Sequence, residues 1–126
     1  MNLLNDQVLA LNECCLNKFY TEGQVATENL VNSSTPKYKK KVASCSADFL
    51  KEFKDVRELL SGEYKQDIEF KMEVKQEDGL KMQRNENNVD RDEESVNLTR
   101  ANFGYKCAAT CINSRLTILG TVINSK

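Results

Sequence analysis

From Asp67 to Lys75 the chain reads Asp-Ile-Glu-Phe-Lys-Met-Glu-Val-Lys, with an apolar side chain at every second position and a charged one between. Extended backbone turns successive side chains to opposite sides, so the pattern selects a strand with one dry face and one wet face. Ile68, Phe70, Met72 and Val74 all fit the period of two, and no helical spacing competes with them. Burying these side chains contributes roughly 1.5–3 kcal/mol each, but a lone hairpin is marginal in water. The dry face must therefore meet another layer.

The first half of the chain supplies apolar stripes for that layer. Leu4, Val8, Leu11, Cys15 and Phe19 recur at steps of three and four, with Leu9, Leu16 and Tyr20 widening the stripe. The pattern runs on through Ala26 to Leu30, and Gly23, worth about 1 kcal/mol less than alanine in a helix, predicts a kink or break. Asn32-Ser33-Ser34-Thr35-Pro36 punctuates the chain, with Thr35 placed as a helix cap and Pro36 in a first turn. Tyr38, Val42, Cys45, Phe49, Phe53, Val56 and Leu60 then predict a second helix, closed by Gly62.

After Gly62 the period changes to two. The strand through Val74 leads into a Gln76-Glu77-Asp78-Gly79 turn, with Leu80 and Met82 alternating beyond it, as in a β-hairpin. Residues 85–95, with Asp90-Arg91-Asp92-Glu93-Glu94 at their centre, read as a solvated acidic loop. Val96, Leu98, Phe103, Tyr105 and Cys107, and then Leu116, Ile118, Leu119, Val122 and Ile123 around Gly120, predict two further strands. Cys107 to Cys111 fits a helical turn equally well. The expectation is one α+β domain over 1–126, with a helical half 1–62 and a β half 63–126. Two N-terminal amphipathic helices would pack on one face of an antiparallel sheet of about four strands.

Composition excludes more than it specifies. The 126 residues are 40% hydrophobic and 29% charged with a net charge of -1, and acidic and basic residues balance in each half. Such a chain has no field that selects nucleic acid or an anionic membrane. The apolar stretch near the N-terminus lacks a basic flank and carries Asp6, and no apolar run approaches the roughly 18 residues a bilayer requires. A cytoplasmic protein without a membrane segment is expected. With no histidine, the Ser-His-Asp and Cys-His mechanisms and the histidine zinc sites are unavailable. Cys14, Cys15, Cys45, Cys107 and Cys111 form an odd set, read as reduced thiols, with Cys107 and Cys111 as the alternative redox pair. No catalytic, cofactor-binding or metal-ligating residue is expected.

Lys37, Lys39, Lys40 and Lys41 form a basic cluster suited to an anionic contact, with Tyr38 able to stack on a base. The acidic stretch Asp90 to Glu94 lying across it is the structural alternative. At a helix N-terminus these cations would oppose the macrodipole.

Two short resemblances stand beside this reading. Glu58-Leu59-Leu60-Ser61-Gly62-Glu63-Tyr64 is similar to the Gln-x-Val-x-Gly loop of cystatins, with Gly62 matching, Leu60 in place of the valine and Glu58 in place of the glutamine. That resemblance implies inhibition of papain-like proteases by a loop around Gly62. Cys111 to Gly120 looks like one coil of the β-helical domain of cyclase-associated proteins. The residues themselves point to a non-enzymatic protein-interaction module, a subunit or adaptor binding a protein partner or a second copy through a helical face or the sheet. Leu9, Leu16, Tyr20, Leu119 and Ile123 are the candidate contacts.

Overall fold

A computed structural model describes residues 6–45, 71–78 and 84–125. The element order is α1 (Asp6–Val31), β1 (Lys41–Cys45), β2 (Met72–Gln76) and α2 (Arg91–Asn124). The described residues thus have α+β content, with two long helices and one antiparallel two-stranded sheet. This overturns two N-terminal helices on a sheet of about four strands.

The helices pack antiparallel. Phe19 lies over Gly104, Gly23 faces Ala101, and Asn29 meets Glu94 near the ends of the run. At 1.5 Å per residue α1 is about 39 Å long and α2 about 51 Å. Small side chains make the approach close: Ala101 is 1% exposed and Ala108 7%. Gly23 does not break α1. A Cβ built there would lie 3.7 Å from that of Ala101, so the glycine sits inside the helix where its neighbour comes near.

The C-terminal strands predicted from Val96 to Asn124 are instead one continuous helix. Glu94, Leu98, Ala101, Tyr105, Ala108, Ile112, Arg115 and Leu119 recur at steps of four and three, the spacing of a helical seam, and all but Tyr105 are buried or half-buried. The partial alternation of Val96, Leu98, Phe103 and Tyr105 loses to this longer repeat. The coil-like reading of Cys111 to Gly120 falls with the strands. The acidic stretch is a loop only as far as Asp90, which caps α2. Its carboxylate accepts hydrogen bonds from the backbone N–H groups of Asp92 at 2.9 Å and Glu93 at 3.3 Å. Asp92, Glu93 and Glu94 then occupy the first turn, where the helix dipole favours negative charge.

The helix expected from Pro36 does not form over the described part of its range. Lys37 takes the left-handed conformation at φ 61, which stops a helical turn, and Lys41–Cys45 is strand. As a helix, the lysine run would have faced the positive end of the dipole; as a strand it places Lys40 and Lys41 beside carboxylates. The rest of that stripe, with Gly62, lies outside the described residues, as do Ile68, Phe70, Leu80 and Met82. Met72 and Val74 do lie on a strand, but it pairs with β1, Lys41 opposite Gln76 through Cys45 opposite Met72.

The sheet covers one side of the helix pair. Lys41, Ala43 and Cys45 are half-buried toward α1, whereas Val42 and Ser44 are exposed. Buried apolar residues are few among those described: Cys14, Val25, Ala26, Val89, Ala101 and Ala108.

Two glycines in α2 separate propensity from packing. At Gly120 an added Cβ meets nothing within 4 Å, so Gly120→Ala should stabilise by about 0.5–1 kcal/mol through helix propensity. At Gly104 the same Cβ would lie 2.5 Å from the Phe19 ring, so Gly104→Ala should be worse than Gly120→Ala by roughly 1–3 kcal/mol. Urea unfolding of both variants checks the difference.

Candidate functional site

The polar centre of the molecule lies where the end of α1, the start of β1 and the first turn of α2 meet. Asn29, in the last turn of α1, is 0% exposed and makes every hydrogen bond an amide can make. Its Nδ2 donates to the Lys41 carbonyl at 2.8 Å and to Glu94 Oε2 at 3.0 Å. Its Oδ1 accepts from the Lys41 N–H at 2.9 Å and from the Tyr38 hydroxyl at 3.2 Å. The side chain thus bonds Lys41 as a neighbouring strand would.

Asn87, also 0% exposed, ties the two connections together. Its Nδ2 donates to the carbonyls of Asn32 at 2.9 Å and Thr35 at 2.8 Å, and its Oδ1 accepts from the Val89 N–H at 2.8 Å. Asn88 closes the sheet. The Glu77 N–H donates to the Lys40 carbonyl at 2.8 Å, and the Asn88 amide bridges the facing pair, accepting from Lys40 N–H and donating to the Glu77 carbonyl, both at 2.6 Å. Arg91 fastens the turn after α1 by donating from Nε to Ser33 Oγ at 2.8 Å and from Nη2 to Ser34 Oγ.

Glu94 is 2% exposed, a position that invites a catalytic reading. Its Oε1 lies 3.0 Å from Lys40 Nζ and accepts from Asn97 Nδ2 at 3.4 Å, and Oε2 is held by Asn29. A carboxylate bound to an ammonium and two amides anchors the first turn of α2 to the end of α1 and the start of β1. The adjoining cleft of about 410 Å³ places Lys18, Lys40, Lys41 and Arg100 among Glu22, Glu77, Glu93 and Glu94, so its charges cancel. Among the described residues no group of three Cys, Asp or Glu side chains could hold a metal ion.

The four lysines of the predicted cluster are placed differently from one another. Lys40 bridges Glu93 and Glu94, each at 3.0 Å, and Lys41 pairs with Glu28. Lys37 is exposed in the turn, its N–H donating to the Asn85 carbonyl at 2.9 Å, and Lys39 is half-buried. The residues read from sequence as partner contacts are placed differently. Leu9, Leu16 and Tyr20 share one side of α1 at i, i+7 and i+11, while Tyr105, Leu116 and Ile123 share one side of α2 at i, i+11 and i+18. Leu119 is half-buried on α2, at the spacing of the seam.

The Tyr20 and Tyr105 rings lie 6.4 Å apart and line one groove of about 750 Å³ with Gly23, Thr27, Leu98 and Asn102. Lys18, Glu22 and Val25 line the sheet-side cleft instead, so this groove runs along the other side of the helix pair. Tyr105 and Leu116 are assigned to strands in the sequence reading, and the structure places both on α2. The helical seam spacing contains Tyr105, and Leu116 lies eleven residues on, on the same side of the helix.

The chain matches no family model, no curated protein and no solved structure.

Removing the Asn29 amide strands the Lys41 N–H and carbonyl and loosens Glu94. Asn29→Ala should cost about 2–4 kcal/mol, against no more than about 1 kcal/mol for Asn32→Ala, whose amide makes only local bonds, donating to the Glu28 carbonyl and accepting from the Thr35 hydroxyl. Denaturation midpoints of the two variants make the comparison.

Alkaline pH should unfold the protein by linkage. Burial holds the Cys14, Cys15 and Cys45 thiols above their ordinary 9.0 and the Tyr38 phenol above its ordinary 10.0. Burial pulls Lys40 down, but the Glu93 and Glu94 carboxylates outweigh it, so its ammonium ends above the ordinary 10.5. Each folded-state value is raised, so each contribution is complete below the unfolded value and lost as pH climbs through the folded one. The urea midpoint should hold from neutrality to about pH 8.5 as far as these groups govern it, then fall from about pH 9 upward. An unchanged midpoint at pH 10.5 would remove this linkage.

Proposed function

We propose that the chain is a non-catalytic protein-interaction module, a subunit or adaptor that receives an amphipathic helix of a protein partner in the groove between α1 and α2. The observation that carries this reading is the apolar side of the helix pair away from the sheet. Leu9 is 44% exposed, Tyr20 55%, Leu116 54% and Ile123 80%, with Tyr105 at 39% beside the groove. One layer of helices with a sheet on one side leaves the other side to solvent, and here that side carries large apolar and aromatic residues of the kind enriched at interface centres. The missing side chain of Gly23 deepens the groove between Tyr20 and Thr27, which suits the i, i+3, i+4 anchors of a bound helix.

No helix among the described residues is long and apolar enough to cross a membrane. The reading places the module in the cytoplasm, a reducing compartment in which five unpaired thiols persist. Its test is site-specific photo-cross-linking in cells of the native source. A photoreactive residue at Tyr20 should give one discrete protein adduct, and the same residue at exposed Ser44 on the sheet's outer face should give none. Adding Leu116→Glu to the Tyr20 probe should weaken that adduct at least about tenfold, the loss of one interface anchor. Equal labelling at Tyr20 and Ser44, or none at Tyr20, would end the reading.

A further inference from the structure

Edge strands are template surfaces that proteins protect or use. The Glu77 to Lys40 hydrogen bond fixes the phase of the ladder. With the register Lys41 to Gln76, the alternation of antiparallel pairs makes Val42/Lys75 and Ser44/Glu73 the bonded pairs. It turns the N–H and C=O groups of Lys41, Ala43 and Cys45 outward on β1, and those of Met72, Val74 and Gln76 outward on β2. On β1 the outward groups of Lys41 are taken by the Asn29 amide. On β2 no described residue takes the outward groups, and Glu73 through Asp78 are exposed.

We infer that β2 pairs antiparallel with β2 of a second copy of this chain about a two-fold axis at Val74, making a continuous four-stranded sheet. Charge selects both the occupant and the register. Lys71, Glu73, Lys75 and Glu77 alternate in sign on the outer face of the strand. Centred on Val74, each Glu73 stands opposite Lys75 of the second copy and each Lys71 opposite Glu77, so every described charge on that face meets its opposite. The neighbouring registers that keep the outward groups bonded are centred on Glu73 or Lys75, and they set Glu73 against Glu73 or Lys75 against Lys75. Directly opposed like charges disfavour those slips.

The inner face agrees with this register. Val74 is 49% exposed on the α1 side of β2, and the two-fold would bring it against its own copy. Neighbouring strands stand about 4.8 Å apart, so the two β1 strands would lie roughly 14 Å apart, wide enough for the two α1 helices, each about 10 Å across. The contact is isologous and closes on itself, leaving as outer edges the strands that Asn29 already caps at Lys41. A strand of five residues makes a small interface, so dissociation on the order of 10 µM is expected. This edge is separate from the groove between the helices, and the two readings stand or fall independently.

The experiment is sedimentation velocity on the full chain from about 1 to 200 µM, a range spanning the expected dissociation constant. The wild type should pass from monomer to dimer. Val74→Pro removes an N–H that points away from β1, so the monomer should keep its circular dichroism while dimerisation weakens at least tenfold. Glu73→Lys alone should weaken the dimer comparably without touching the backbone. The swap Glu73→Lys with Lys75→Glu in one chain should restore it, because each new residue again faces its opposite across the axis. A wild type that stays monomeric at 200 µM, a dimer indifferent to both single variants, or a swap that fails to restore dimerisation would overturn the inference.

Discussion

Everything else in the described structure depends on one buried amide. Asn29 joins the end of α1 to the first residue of β1 through both backbone groups of Lys41, and to the start of α2 through Glu94. An amide with all its bonds made is neutral and rigid, whereas an unpaired one at 0% exposure would cost several kcal/mol. Because the partners come from segments far apart in the chain, the bonds can be complete only when helix, strand and helix stand in one arrangement. This is how a chain with few buried apolar residues fixes a particular geometry.

The balance between polar and apolar cohesion differs along the helix pair. Near Asn29 the contacts are amides, an ion pair and a cap; farther along, they are small side chains, with Gly23 on Ala101 and Gly104 under Phe19. Burial of small residues yields little hydrophobic free energy per side chain but allows close approach and dispersion contacts. On the outward side of α2, the hydroxyls of Thr99, Thr110, Ser114, Thr117 and Thr121 return to carbonyls four residues earlier in the same helix. Those residues then offer methyl groups or spent hydroxyls to the surroundings, which gives α2 a more apolar exterior than its composition implies.

Legibility in the sequence followed the range of the interactions. The N-terminal helix and the strand through Met72 and Val74 announced themselves because their periods are local and their residues conventionally apolar. The C-terminal helix was hidden because its inward seam is built from Glu94, Ala101, Ala108 and Arg115, which a search for large apolar residues passes over, while Val96, Leu98, Phe103 and Tyr105 mimic alternation. Asp90 with Glu93 three residues later is a start signal of the capping-box kind, masked by the neighbouring charges. For β1, Tyr38, Val42 and Cys45 fit helical spacing, and what decides the matter is a side-chain amide donated from α1 and another from residue 88. No local pattern contains that information. At the candidate surface, Leu9, Leu16 and Tyr20 could be read as candidate partner contacts widening the stripe of α1, but their union with Tyr105 and Leu116 required the pairing of the helices.

The Asn88 bridge between Lys40 and Glu77 has a consequence for the order in which the molecule assembles. The rung it completes joins three stretches of chain, so the sheet cannot be finished by a simple hairpin search between neighbouring segments. The helix seam closes through contacts repeated turn by turn, whereas this end of the sheet needs residue 88 in place. The Lys40–Glu77 rung is therefore complete only when all three stretches have met.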